Sequence, residues 1–265
     1  MKIAIERVGR IIREPLEKLW GEFRLFLNIL YWLFIGPFLR KPFSWRASFN
    51  QMAFSGVQSA IIVFFVAMFT GIVLAMQSAY QLVRFNFESF VATLVAVSMC
   101  RELGPVFAAL VVAGRVGSAI TAEIASMKVN EQIEALDTMA INPVRYLAVP
   151  RFLALSIMLP CLTILADVMG MVGGYIIGHF TLNINTGTYI DMSVKYLALK
   201  DIHTGLLKSW VFAMIISVVG CYEGLHASGG AEGVGRATTV SVVSSFIMII
   251  LSDCLLTGVF YFMNV

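Results

Sequence analysis

The stretch MAFSGVQSAIIVFFVAMFTGIVLAM, Met52 to Met76, contains no charged residue, and none occurs anywhere between Arg46 and Arg84. A helix needs about 20 apolar residues to cross the hydrocarbon core of a bilayer. A helix on a soluble core still shows a polar face, and this one has none. The segment predicts a transmembrane helix, so the rest of the chain is read with lipid as its solvent.

Composition points the same way. Hydrophobic residues make up 59% of the 265 and charged residues 13%, with a mean hydropathy of +0.85. Soluble chains carry about 25% charged residues. Working outward from Met52–Met76, further apolar stretches run over Val91–Val112, Phe152–Gly178, Gly205–Tyr222 and Val240–Phe262. The expected fold is an all-α integral membrane protein with five transmembrane helices. An N-terminal amphipathic helix is expected in the membrane interface, and a helix-prone polar segment lies between the second and third spans. The division expected is an interfacial segment over 1–46 and a transmembrane domain over 47–265. The Ile3–Phe23 stretch has helical spacing, and a shorter apolar run from Leu25 to Leu39 is broken at Gly36-Pro37.

Charge sets the expected orientation. The first 46 residues hold nine Lys/Arg (Lys2, Arg7, Arg10, Arg13, Lys18, Arg24, Arg40, Lys41 and Arg46) against four Glu. The positive-inside rule places that end in the cytoplasm, and five crossings then leave the C-terminus outside. Trp20, Phe23, Phe26, Tyr31 and Trp32 are interleaved with these charges, which suits a membrane surface rather than nucleic acid. Cys100, Cys161, Cys221 and Cys254 lie in apolar stretches without CxxC spacing, so they read as small hydrophobes, not as a disulfide or metal framework.

Several residues could carry chemistry. Arg101 and Glu102 lie about ten residues into the second span, where each charge costs about 2.5–3.5 kcal/mol on insertion scales. They either line a polar path or pair with other helices, Arg101 with Asp167 or Asp253 and Glu102 with Lys208. Asp167 and Asp253 lack the surrounding signature of an intramembrane aspartyl protease. His179, His203 and His226 are isolated, so no catalytic or metal constellation is visible. Between Glu123 and Pro143, Glu131, Glu134 and Thr138 share one helical face and Ile133, Leu136 and Ala140 another. That acidic face suits a protein partner better than an anionic leaflet. The Gly170, Gly174 and Gly178 series is read as close helix packing. GVGRAT, within Gly229–Thr239, follows no strand and lacks the lysine of a phosphate loop, so it is expected as a flexible turn between spans.

The string RELGPVFAALVVAGRVGSAITAEIASMKVNEQIEALDTMAINPVRYLAVPR, Arg101 to Arg151, together with GRATT at Gly235–Thr239, resembles the MlaE (YrbE) family of ABC-transporter permeases. The resemblance runs from about Met52 to the C-terminus. It implies a homodimer in a bacterial inner membrane that moves phospholipid between membranes and maintains outer-membrane lipid asymmetry. ATP would be bound by a separate cytoplasmic ATPase, with no cofactor in this chain. A lipid-binding MCE-domain protein is implied on the periplasmic side and a small STAS-domain protein beside the ATPase. Carried onto this sequence, Arg101, Glu102 and Lys208, with Leu74, Gln77 and Tyr80, would surround the lipid. The coupling helix to the ATPase would include Glu123, Lys128, Glu131, Glu134 and Asp137. The rival reading from the residues is an ion- or proton-coupled carrier or channel using the intramembrane charges, which would work without ATP.

Overall fold

In the computed structural model, residues 2–36, 45–85 and 87–263 are described, with side chains described from Arg13 onward except Glu14 and Pro15. The described residues form helices and no strand. We number them α1 Lys2–Phe34, α2 Trp45–Phe85, α3 Phe90–Val129, α4 Gln132–Thr138, α5 Val144–Phe180, α6 Thr186–Lys195, α7 Leu199–Leu225 and α8 Gly230–Phe262. Five of them (α2, α3, α5, α7 and α8) are long and apolar enough to span a membrane. Alternation of these spans puts α4 at one end of the bundle and α6 at the other.

The spans are longer than hydropathy alone suggests. α3 does not stop at Val112 but continues to Val129, so most of the polar segment is an extension of the second span. It passes Gly104-Pro105 without breaking because a π-turn, Met99–Leu103, comes just before. Such a turn widens the helix and absorbs the missing proline N–H. A second π-turn in α3 covers Ala113–Gly117, and others lie at Ala53–Val57 and Val144–Ala148. The expected single amphipathic helix from Glu123 to Thr138 is therefore two pieces. They part at Glu131, whose φ of 58° is left-handed.

The N-terminal segment is also corrected. α1 is one 33-residue helix rather than a helix followed by a separate apolar run. Pro37, Leu39, Arg40 and Lys41 lie outside the described residues. α1 is docked on the bundle: Leu25 and Ile29 are buried, and Phe26 meets Phe152 with ring centroids 6.0 Å apart. Lys18 pairs with Glu223 at 2.5 Å and reaches Ser244 at 3.0 Å.

Helices approach where side chains are absent. The most extensive contact is α2 against α5. A Cβ on Gly71 would lie 1.9 Å from the Gly170 carbonyl oxygen, and one on Gly173 would lie 2.1 Å from that of Met68. Gly174 and Gly178 face Tyr189 of α6 in the same manner, which bears out the packing role read for this glycine series. α6 starts at Asn185, whose side chain accepts a hydrogen bond from the Gly187 N–H at 2.9 Å. Burial pushes the Tyr189 phenol up to about 12, and its hydroxyl donates to the Met171 carbonyl at 3.2 Å. Of the cysteines, Cys100 and Cys221 are buried, whereas Cys161 and Cys254 face outward along the spans.

Candidate functional site

A charged cluster sits where α3, α7 and α8 meet, in the half of the bundle nearer α6. Its geometry depends on Gly205. A Cβ there would lie 2.0 Å from the Cys100 carbonyl oxygen, so α7 touches the α3 backbone one residue before Arg101. Asp201 lies about one turn before Gly205 and Lys208 about one turn after, which presents both to α3. Arg101 Nη1 donates to Asp201 Oδ1 at 3.2 Å. Asp201 is held in place because its other oxygen accepts the Ala198 N–H at 3.0 Å, at the start of α7. Lys208, 1% exposed, donates through Nζ to Glu102 and to Thr257 Oγ1 at 2.7 Å. The same ammonium lies 2.9 Å from Asp253 Oδ1, and Thr257 reaches Glu102 Oε1 at 3.2 Å.

The pairing of Glu102 with Lys208 is as the residues suggested. The partner of Arg101 is not: Asp201 takes it, and Asp253 belongs to Lys208. Asp167 pairs with neither. It is buried against Gly104, and among the described residues its Oδ1 accepts no hydrogen bond. The missed residue, Asp201, precedes Lys208 by seven, the spacing that returns to the same helix face. Arg101 and Glu102 keep side-chain exposures of 39% and 36%, so the cluster opens at their end. Among the described residues, no hydrogen bond or ion pair links Leu74, Gln77 or Tyr80 to it. Gln77 and Tyr80 are exposed on α2, where Arg84 donates to the Tyr80 hydroxyl at 2.6 Å.

At the opposite end, α4 buries Ile133, half-buries Leu136 and exposes Glu131, Glu134, Asp137 and Met139. Lys128 of α3 donates to Glu134, and this bond holds the Glu134 carboxyl below the usual carboxylate range. Glu123 is not on the exposed face of α4. It lies on α3 and pairs with Arg151 of α5 at 2.7 Å. Arg151 is buried and also donates to the Leu147 carbonyl at 2.7 Å. This pair ties together the two stems that carry α4, a link that no local spacing reveals.

Arg115 is a further intramembrane arginine the sequence reading passed over. It joins two π-turn regions, donating to Ser59 Oγ at 2.8 Å and Gln58 Oε1 at 2.7 Å and lying over the Phe54 ring.

Apolar spans around an internal charged cluster, with a short acidic helix at one end, define a polytopic helical membrane protein of the transporter class. The chain belongs to the MlaE permease family, whose model matches residues 48–259. Among similar proteins is a probable ABC transporter permease of Rickettsia typhi, 44% identical over 241 residues, covering 91% of this chain and 92% of that protein. The intermembrane phospholipid transport system permease protein MlaE of Haemophilus influenzae is 36% identical over 235 residues, covering 88% and 89%. The chloroplastic protein TRIGALACTOSYLDIACYLGLYCEROL 1 of Arabidopsis thaliana is 33% identical over 223 residues, covering 84% and 64%.

Proposed function

We propose that this chain is the permease subunit of an ABC transporter that moves phospholipid between the inner and outer membranes and so maintains outer-membrane lipid asymmetry. It is a multi-pass membrane subunit and not itself an enzyme. The observation that carries the substrate class is the cluster of Arg101, Asp201, Glu102, Lys208 and Asp253 inside an apolar bundle. A phospholipid has a charged head and apolar tails, so its path needs a few charges within an apolar wall. Arg101, at the open end, is suited to the phosphate, and Glu102 to an ammonium.

Two copies would form the transporter. α8 supports this reading, because Val243, Ile247, Leu251 and Leu255 form an uncovered apolar stripe on one chain. In a dimer, Leu74, Gln77 and Tyr80 would meet the lipid beside Arg101 and Glu102. ATP would be hydrolysed by a cytoplasmic ATPase docked on α4, with Glu131, Glu134 and Asp137 facing it and Glu123 and Lys128 bracing the mount. A STAS-domain protein would sit beside that ATPase and an MCE-domain protein on the periplasmic side. The N-terminus is then cytoplasmic, in line with its basic residues, and the C-terminus periplasmic.

Native mass spectrometry of the gently extracted protein tests this. Two copies with an ATPase subunit and bound phospholipid are expected. A lone, lipid-free chain that moves ions in liposomes without ATP would replace the proposal with a carrier or channel.

A further inference from the structure

A second site lies away from the charged cluster, beneath α1. Leu19, Phe23 and Phe26 of α1, Met214 and Val218 of α7, and Met248 of α8 bound an apolar groove of about 400 Å³. Among the described residues, Glu22 is the one charged side chain in its wall. It is 4% exposed, and among the described residues neither carboxylate oxygen has a hydrogen-bond partner. Buried charges are normally paired or neutralised, so a carboxylate facing an apolar groove takes up either a proton or a cationic partner.

The charges around it are unbalanced. Lys18, one turn earlier, is already committed to Glu223 and Ser244. Among the described residues, two carboxylates therefore share one ammonium, and with Glu22 ionised one negative charge is left at the groove. The occupant that complements it has an apolar tail and a cationic head with N–H donors.

We propose that this groove binds an amine-headed phospholipid of the bilayer, with its ammonium on Glu22 and an acyl chain along Phe23, Phe26, Met214 and Val218. A second copy of this chain fits less well. The exposed faces of α2 from residue 47 to 83 and of α8 from 240 to 262 are apolar and contain no Lys or Arg to meet Glu22. Phosphatidylglycerol brings no cation, and phosphatidylcholine brings one without an N–H. The site is distinct from the Lys208 cluster. Gly21 packs against Tyr222, fourteen residues beyond Lys208 on α7, which at helical rise is about 20 Å.

The test is lipid retention, measured without ATP and thus independent of transport. The complex, purified with its full-length chains and stripped of lipid, is re-equilibrated with phosphatidylethanolamine, phosphatidylglycerol or phosphatidylcholine vesicles and weighed by native mass spectrometry. We expect one phosphatidylethanolamine per chain to be held in preference to the other two. Glu22→Gln should weaken that retention about tenfold, the worth of a charge-assisted hydrogen bond, and Val218→Trp, which fills the groove, should also expel the lipid. Equal retention of the three lipids, or phosphatidylethanolamine retention untouched by either variant, would overturn the site. So would disulfide cross-linking of Leu19→Cys to a second copy in native membranes, since the groove would then be covered by protein.

Discussion

Lys208 of α7 and Glu102 of α3, 106 residues apart in sequence, form an ion pair inside the bundle, with Asp253 of α8 2.9 Å from the same ammonium. One buried cation thus holds three spans together. Removing it leaves two carboxylates in a low-dielectric setting, and breaking such a buried pair costs about 3–5 kcal/mol. Lys208→Met should lose about 3 kcal/mol, the low end of that range, because Glu102 stays partly exposed. Adding Glu102→Gln should recover part of the loss. Thermal unfolding in detergent measures both, and additive losses would separate the two residues.

The cluster depends on a close approach at Gly205. Gly205→Val would push α7 off the Cys100 carbonyl and separate Arg101 from Asp201 and Glu102 from Lys208 together. Overpacking of this kind costs about 1–3 kcal/mol, and phospholipid transport should fall with it. Gly258→Ala on α8 meets nothing within 4 Å and should gain about 0.5–1 kcal/mol from helix propensity. Opposite signs in the two melting shifts are the expected result.

The mount of α4 makes a separate prediction. Arg151→Met removes a buried guanidinium that joins α5 to Glu123 of α3. ATP hydrolysis by the assembled complex should persist while phospholipid movement drops severalfold, because docking would no longer be transmitted to the spans. Glu123→Gln keeps a hydrogen bond to Arg151 and should have the milder effect. Parallel ATPase and transport assays separate the two outcomes.

α4 is flanked by two left-handed residues that are not glycine, Glu131 and Ala140, each with φ of 58°. A left-handed L-residue is strained by about 1–2 kcal/mol. Ala140→Gly should therefore raise stability by up to about 1 kcal/mol, read as a higher midpoint in chemical unfolding. Lower stability would mean the conformation is not strained.

Two carboxyls should respond to pH in opposite directions. Desolvation raises the Glu22 carboxyl above 4.5, partly offset by Lys18 and aided by Glu223. The folded protein then holds this proton more tightly than the unfolded one. Its contribution is full below pH 4.5 and lost as pH rises through the raised value. The pairing with Lys128 lowers Glu134, so its contribution is present above pH 4.5 and lost as pH falls through the lowered value. In lipid-stripped protein, Glu22→Gln should remove the decline on the alkaline side of pH 4.5, and Glu134→Gln should remove the loss on the acid side. Melting profiles between pH 3 and 8 read both.

Much of this protein is legible in its sequence. An apolar stretch without charge from Ala47 to Val83 dictates a span because bilayer thickness fixes the length of helix required. Four further apolar stretches, each with only one or two charges inside, complete the architecture. Helical period groups Ile133 and Leu136 on one face, though Ala140, placed with them, is exposed beyond the end of α4. The pairing of Glu102 with Lys208 is one of two readings left open by the cost of lone charges in lipid. Local sequence could not decide which faces of different helices meet. Arg101 finds Asp201 rather than Asp167 because Gly205 and Gly104 set how α7 and α5 lie against α3. The docking of α1 over Glu22 and the tie between Glu123 and Arg151 are likewise tertiary. Spans are specified residue by residue through hydrophobicity. Their partners are specified by rotation and close approach, and those depend on the whole bundle at once.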